Sequence, residues 1–270
     1  MTMPILEISK LRKSFGGLLA LSDVSFAAQR DEITAIIGPN GAGKTTLFNL
    51  VAGTSHPTSG EVRFEGRVLN GTPSHDRVRM GIARTFQSVE LFGNMSVLEN
   101  AMMGLYTRSS AGFLHAALRA PRHWRDERLT LKEAMATLKL VGLDDRSALP
   151  ALSLPFGQQR LLALARALAT KPRLLMLDEP GAGLNSREKM DLANLVCRLR
   201  DGGITILLVE HDMDLVMGIA DHIIVLDHGE KIAEGTAAEV QSDERVIAAY
   251  LGTDDDWLTA SAEPLAVGAR

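Results

Sequence analysis

The sequence contains little cysteine, few aromatic residues, no excess of basic residues and no long hydrophobic run. Cys197 is the only cysteine, so an internal disulfide and a cysteine-rich zinc site are both excluded. We expect its thiol to be buried as a small apolar group. Lys plus Arg number 29 against 33 for Asp plus Glu, a net charge of −4 that argues against a nucleic-acid partner.

No apolar run approaches the roughly 18 residues that a membrane-spanning helix requires. The longest runs, at 204–209 and 223–226, have the length of strands. Glu7 and Lys10 interrupt the apolar residues at the N-terminus, where a signal peptide would need a continuous core. The sequence therefore predicts a cytoplasmic chain that would need another subunit to hold it at a membrane.

The pattern of apolar runs predicts an α/β fold. The chain has 270 residues, of which 46% are hydrophobic, so it can form one or two globular domains. Short runs rich in Ile, Val and Leu occur at 32–37, 173–177, 204–209 and 223–226, and they alternate with longer helical patterns. Such an alternation is typical of a largely parallel sheet covered by helices.

Two parts of the chain depart from this alternation. Short strands are predicted at 5–8, 24–28 and 61–64, with turns such as Phe15-Gly16-Gly17 between them, which indicates an antiparallel β portion. The stretch from about 88 to 170 is mostly helical in pattern and has no convincing strand. We interpret it as a helical subdomain inserted into the α/β core.

Helix starts are predicted from capping residues. Ser96 with Glu99 and Thr236 with Glu239 match the capping box, and Ser186 is expected to cap a helix that runs to about residue 200.

Residues 106–127 are predicted to be irregular. Arginines surround Trp124 at positions 119, 122, 125 and 128, either as a contact surface for a partner or lipid headgroups or as a solvated helix face.

A phosphate-binding loop is predicted between the strand at 32–37 and the helical run that follows it. Residues 38–45 match the pattern GxxxxGK[ST]; they are Gly38, Pro39, Asn40, Gly41, Ala42, Gly43, Lys44 and Thr45. Glycines let successive N–H groups face phosphate oxygens, and the helix adds its positive N-terminal end. Lys44 would contact the β- and γ-phosphates, Thr45 would offer a hydroxyl to Mg²⁺, and Thr46 would also contact the nucleotide.

Two neighbouring acids follow the apolar run at 173–177. Asp178 and Glu179 lie at the carboxyl end of a predicted buried strand, where open α/β sheets bind their ligands. Asp178 would hold Mg²⁺ directly or through water. Glu179 would polarise the water that attacks the γ-phosphate.

With these two motifs the chain resembles the ATP-binding subunit of ABC transporters, and further residues match that family in the same order. Phe15 matches an aromatic residue that stacks on adenine, and Gln87 matches a glutamine that senses Mg²⁺ and couples to the membrane subunit. Gly157 and Gln158 match the end of the signature sequence. His211 matches the switch histidine that contacts the γ-phosphate.

The resemblance covers about residues 5–252 and implies the ABC ATPase fold. That fold is a P-loop NTPase core with an antiparallel β portion and an inserted helical subdomain. The implied domain spans 1–252, and residues 253–270 would form a flexible tail.

Two residues depart from the family pattern. Pro155 stands where the signature has a serine, so it offers neither a hydroxyl nor an N–H to the nucleotide of the opposite subunit. Asn185 stands where an acid follows the leucine, so it keeps a hydrogen-bonding side chain without the charge.

These departures, together with the extra segment near 106–127 and the ending at 246–252, resemble the ATPase subunits of bacterial branched-chain (hydrophobic) amino acid importers. Relatives of that subgroup carry amides, urea or aromatic acids. A soluble ABC-type ATPase and a small-molecule kinase are less favoured alternatives.

The resemblance also implies partners and a location. Two ATPase subunits, identical or different, would pack head to tail with ATP between the phosphate loop of one and the signature of the other. Two membrane-spanning permease subunits would bind this pair at the cytoplasmic side of the bacterial membrane, and an external solute-binding protein would act indirectly. Hydrolysis would remove the γ-phosphate and open the dimer.

Overall fold

The computed structural model describes residues 3–85, 90–106 and 121–250. These residues form two compact units. The first unit contains the described residues up to Arg77 and from Arg173 onward, and the second contains those between Val78 and Pro172.

The strands of the described residues are β1 (Leu6–Phe15), β2 (Leu18–Ala28), β3 (Ile33–Ile37), β4 (Ser59–Phe64), β5 (Arg67–Val68), β6 (Ile82–Arg84), β7 (Leu174–Asp178), β8 (Thr205–Val209), β9 (His222–Asp227) and β10 (Glu230–Gly235). The helices are α1 (Lys44–Ala52), α2 (Ser74–Arg79), α3 (Val97–Tyr106), α4 (Pro121–Leu140), α5 (Phe156–Ala169), α6 (Ser186–Asp201), α7 (Met213–Ile219), α8 (Ala237–Gln241) and α9 (Glu244–Tyr250). Within these residues no helix is both long enough and apolar enough to cross a membrane.

The first unit contains a mainly parallel sheet whose neighbouring strands follow the order β10-β9-β3-β8-β7. The pairs β9–β3, β3–β8 and β8–β7 are parallel, and β10 runs antiparallel to β9. Every residue of β3, β7 and β8 is buried, as expected for strands covered on both faces. The carboxyl ends of β3, β8 and β7 therefore lie side by side at one edge of the sheet.

The same unit contains the predicted antiparallel sheet, with strand order β2-β1-β4-β5. The prediction at 5–8 and 24–28 found only the buried halves of β1 and β2. Both strands continue to a tight hairpin, in which Phe15 pairs with Leu18 and Gly16 adopts a left-handed φ of 57°. The outer halves are largely exposed and alternate poorly, so hydrophobicity alone does not reveal them.

The second unit consists of β6 and the helices α3, α4 and α5. The predicted capping box starts α3, because Ser96 N donates to Glu99 Oε2 (2.7 Å) and Glu99 N donates to Ser96 Oγ (3.2 Å). Helices α3 and α5 pack so closely that a Cβ on Gly104 would lie 2.1 Å from the Arg166 carbonyl oxygen.

The prediction that residues 106–127 are irregular is wrong in part. Residue 106 ends α3, and α4 begins at Pro121, a residue whose fixed φ suits the first turn of a helix. Residues 107–120, including Arg119, lie outside the described residues.

The predicted cap of α6 is also wrong by one residue. Asn185, not Ser186, is the N-cap: Glu188 N donates to Asn185 Oδ1 (3.0 Å), and Asn185 N donates to Glu188 Oε2 (3.0 Å). The capping-box pattern, a polar N-cap residue with Glu three positions later, fits Asn185 with Glu188.

The C-terminal elements pack onto the parallel sheet. Thr236 and Glu239 form the predicted capping box of α8, and α9 ends at Tyr250. Tyr250 and Val246 are buried in a cluster with Ala35, Ile37, Met213, Val216, Ile223, Val225, Ala233 and Val240. Cys197 is buried as expected, and burial raises the pKa of its thiol.

Candidate nucleotide-binding site

The phosphate loop connects β3 to α1, and its glycines adopt conformations that other residues rarely reach. Gly38 has φ 147° and Gly43 has φ 101°. A Cβ on Gly38 would lie 2.0 Å from the Leu226 carbonyl oxygen, and a Cβ on Gly43 would lie 2.7 Å from that of Ala20. Gly43 is the N-cap of α1 and makes no side-chain capping hydrogen bond. The N-terminal end of a helix favours an anion.

Lys44 is buried, and its side chain folds back onto the start of this loop. Its Nζ donates to the carbonyl oxygens of Gly38 (2.5 Å) and Pro39 (3.0 Å). The loop thus holds an ammonium group beside the N-terminus of α1, where positive charge and N–H donors together favour a polyphosphate. Thr45 is exposed and Thr46 is partly buried.

The acidic pair lies two strands away from the loop at the same sheet edge. Asp178 is buried at the end of β7, in register with Val209 of β8. Glu179 turns the chain away from the sheet with a left-handed φ of 48°, and its N–H donates to the Val209 carbonyl oxygen (2.9 Å). A side chain in this region is strained, which often marks a functional position.

Glu179 and His211 contact each other across β7 and β8. His211 Nε2 lies 2.6 Å from Glu179 Oε1, a hydrogen-bond distance. A proton on Nε2 of the imidazole would be donated to this carboxylate. The structure thus brings together the phosphate loop, Asp178, Glu179 and His211 within the first unit.

Glu210 is a residue that the sequence reasoning missed. Its side chain is only 2% exposed, and its two oxygens accept from Gly181 N (2.5 Å) and His211 N (3.1 Å). Burial raises the pKa of Glu210, while hydrogen bonds from the backbone of Gly181, His211 and Asp212 oppose that shift. The available signal was an acid placed directly after the buried strand and before His211.

The other predicted residues lie at separate places. Phe15 is 50% exposed at the end of β1, and Lys13 Nζ lies 4.6 Å from its ring centroid. Gly157 and Gln158 lie in the first turn of α5 in the second unit, where the Pro155 carbonyl oxygen accepts from Gln158 N (2.9 Å). Gln87 lies outside the described residues.

The described protein oxygens near the phosphate loop are too few to hold Mg²⁺ by themselves, so a nucleotide would have to supply further ligands. Among the described residues, no group of three or more His, Cys, Asp and Glu could hold a metal ion. Mg²⁺ commonly takes one or two protein oxygens and completes its shell with phosphate oxygens and water. The hydroxyl of Thr45 and the carboxylate of Asp178 are oxygen donors of that kind.

The sequence comparisons agree with this geometry. A family profile described as "ABC transporter" matches residues 21–182. The chain belongs to the ABC transporter family. A second profile, described as "Branched-chain amino acid ATP-binding cassette transporter", matches residues 230–256 of this ABC protein. Family and structure together show that it is an ATPase with the predicted ABC ATPase fold.

Relatives and solved structures resemble this ABC ATPase over most of its length. The high-affinity branched-chain amino acid transport ATP-binding protein BraF of Pseudomonas aeruginosa is 44% identical over 253 residues, which cover 93% of this chain and 99% of BraF. A nucleotide-free ATP-binding cassette from an ABC transporter is 32% identical, with a TM-score of 0.81 and coverage of 93% of this chain and all of that one. A dimeric ATP-binding cassette in a post-hydrolysis state, bound to ADP and Pi, is 25% identical, with a TM-score of 0.73 and coverage of 86% and 98%.

Proposed function

We propose that this ABC ATPase energises the uptake of branched-chain or other hydrophobic amino acids by a bacterial importer. BraF, which matches this chain almost end to end, is described as a branched-chain amino acid transport ATP-binding protein. The profile that matches the C-terminal segment is also described as belonging to branched-chain amino acid transporters. The described part of that segment contains β10, α8 and α9, whose buried residues complete the core beside the parallel sheet.

The nucleotide site is assigned to one edge of the sheet. The observation that carries this assignment is the contact between Glu179, which follows β7, and His211, which follows the end of β8, the strand next to the phosphate-loop strand β3. Adenine would stack on Phe15. The phosphates would bind the N–H groups of residues 38–46, with Lys44 as the neighbouring cation.

Each catalytic side chain has a defined task in this proposal. Glu179 is the general base that accepts a proton from the attacking water. His211 Nε2 lies within hydrogen-bond distance of Glu179, and an N–H at this nitrogen is suited to a γ-phosphate oxygen. Thr45, Asp178 and Gln87 would hold Mg²⁺, which supplies charge stabilisation to the phosphates.

The proposal includes partner subunits. Two ATPase subunits, of this chain or of this chain and a second one, would pair head to tail so that Gly157 and Gln158 of one face the nucleotide of the other. The fold of a dimeric cassette supports this pairing. Two permease subunits would bind the pair at the cytoplasmic side of the membrane, with an external solute-binding protein delivering the solute.

The test is purification of the chain together with its co-expressed membrane partners, followed by identification of the co-purifying chains by mass spectrometry. We expect two multi-helix membrane proteins, together with a second ATPase if the pair is heteromeric. After reconstitution with the solute-binding protein, leucine, isoleucine or valine should stimulate ATP hydrolysis. Stimulation only by an amide, urea or an aromatic acid would overturn the solute assignment. Recovery of no membrane chain would overturn the importer assignment.

A further inference from the structure

Glu210 joins the two loops that carry the proposed catalytic side chains. Gly181 lies two residues after Glu179, and its N–H donates to Glu210 Oε1 at 2.5 Å. His211 N donates to the other carboxylate oxygen at 3.1 Å, and the backbone of Asp212 adds a hydrogen bond to the same side chain. One buried carboxylate thus holds the backbone on both sides of the contact between Glu179 and His211.

The loop after β7 is shaped to receive this carboxylate. A Cβ on Gly181 would lie 2.9 Å from Glu210 Oε1 and 3.2 Å from Leu215 Cδ2, so a larger residue would push the loop away from the acceptor. A buried side chain with its charge satisfied by backbone N–H groups leaves little freedom for either loop, because releasing it would leave buried polar groups without partners.

A second contact joins the same regions from the other side. Lys189 on α6 forms an ion pair with Asp212, and Asp212 also caps α7 by accepting from Leu215 N (2.9 Å). The segment from Glu179 to the start of α6 is therefore tied to the segment from Glu210 to the start of α7 at two points.

From this geometry we infer that Glu210 is a positioning residue for ATP hydrolysis, which keeps the side chains of Glu179 and His211 in contact without itself touching the nucleotide. The inference rests on the proposed assignment of Glu179 and His211 to the catalytic site. It adds that the carboxylate of Glu210 is required for the rate of hydrolysis and not for nucleotide binding. Small displacements of a general base cost large factors in rate, which is why a group outside the site can control it.

The test is steady-state ATP hydrolysis by the full-length Glu210→Gln variant, with kcat and KM determined separately. Glutamine has the same shape, but its NH₂ group would face a backbone N–H where a carboxylate oxygen accepted one. We expect kcat to fall about tenfold to a hundredfold, as the loss of a charge-assisted hydrogen bond predicts. The affinity for Mg²⁺–ATP, measured with a fluorescent ATP analogue, should change by less than about twofold, because the contacts of Lys44 and the phosphate loop do not involve Glu210.

The matched control is Glu239→Gln, which removes another carboxylate that accepts a backbone N–H, at Thr236 and away from the site. Its kcat should equal that of the parent. A double-mutant cycle with His211→Ala gives a readout that a merely structural role would not change: Glu210→Gln should cost less activity in the His211→Ala background than in the parent.

Three results would overturn the inference. They are an unchanged kcat in Glu210→Gln, an equal loss of kcat and nucleotide affinity with a lowered unfolding midpoint, and independent losses in the double-mutant cycle. Glu179→Gln, assayed in parallel, separates this failure from failure of the site. If Glu179→Gln hydrolyses ATP at the parent rate, the catalytic assignment itself is wrong; if it is inactive while Glu210→Gln is fully active, only the positioning role is wrong.

Discussion

At the residue scale, Arg77 shows how a buried cation supports the phosphate-loop helix. Its side chain is 1% exposed, and its guanidinium donates to the carbonyl oxygens of Leu50, Val51, Leu69 and Thr72 at 2.6–3.0 Å. Leu50 and Val51 lie in the last turn of α1, where carbonyl groups lack partners within the helix. Burial lowers the pKa of Arg77, but a guanidinium remains charged and suits the negative end of the helix.

Arg77→Lys should lower the free energy of unfolding by about 2–4 kcal/mol, because an ammonium group cannot serve all four carbonyl oxygens and leaves some of them unpaired. Urea unfolding followed by circular dichroism measures this change. The matched control is Arg67→Lys at an exposed position, which should change stability by less than about 0.5 kcal/mol. Equal effects of the two substitutions would show that the hydrogen bonds of the Arg77 guanidinium do not stabilise the fold.

At the element scale, the N-terminus of α6 explains the departure of Asn185 from the family pattern. The residue accepts from Glu188 N and completes a capping box, a task that asparagine and aspartate perform about equally well. Losing the acid at this position therefore leaves the start of the helix intact.

Asn185→Ala should destabilise the protein by about 1 kcal/mol, and Asn185→Asp should stay within about 0.5 kcal/mol of the parent. Thermal and urea unfolding of the three proteins provide the measurement. A loss of the same size in both variants would mean that the amide group makes a contact other than the cap.

The signature helix α5 begins without a side-chain cap. Pro155 is the N-cap, and its carbonyl oxygen accepts from Gln158 N and Gln159 N. Proline has a fixed φ suited to this position but offers no N–H.

Pro155→Ser should not reduce ATP hydrolysis, because serine restores a capping oxygen and an N–H without changing the carbonyl contacts. Steady-state kinetics of the full-length variant tests this. A large loss of kcat with unchanged folding would show that the proline geometry is itself required.

At the scale of the whole molecule, the proposed site needs two copies of the fold. The phosphate loop, Glu179 and His211 lie in the first unit, and the signature residues Gly157 and Gln158 lie in the second. In the proposed head-to-tail dimer each ATP is enclosed by both kinds of surface, so binding of ATP and closure of the dimer are one equilibrium.

Glu179→Gln should bind ATP without hydrolysing it and should accumulate as an ATP-bound dimer. Light scattering coupled to size-exclusion chromatography should show a doubled mass with Mg²⁺–ATP and the monomer mass with ADP, because in the proposed dimer the γ-phosphate would contact the signature residues of the opposite subunit. Lys44→Ala is the control, since it should bind nucleotide weakly and stay monomeric. A Glu179→Gln chain that pairs only with a second ATPase would remain monomeric alone and dimerise on mixing with that chain.

The sequence by itself determined the features that depend on neighbouring residues. The spacing of glycines and Lys44 predicted the phosphate loop, buried apolar runs predicted the parallel strands, and Ser96 and Thr236 predicted helix starts, because each follows from local backbone geometry and burial. The exposed halves of β1 and β2 and the true cap of α6 were missed or misplaced where the local signal was weak.

Only the tertiary structure decided which distant side chains meet. His211 contacts Glu179 across 32 positions of the chain, and Glu210 holds Gly181 across 29. Arg77 donates to carbonyl oxygens in the last turn of α1 from 26–27 positions further along the chain. No periodic pattern encodes these pairs, since they arise from the order β3-β8-β7 and from burial that forces each polar group to find a partner. The motifs therefore predict the chemistry of this ATPase, and the packing of its sheet decides which side chains lie beside those motifs.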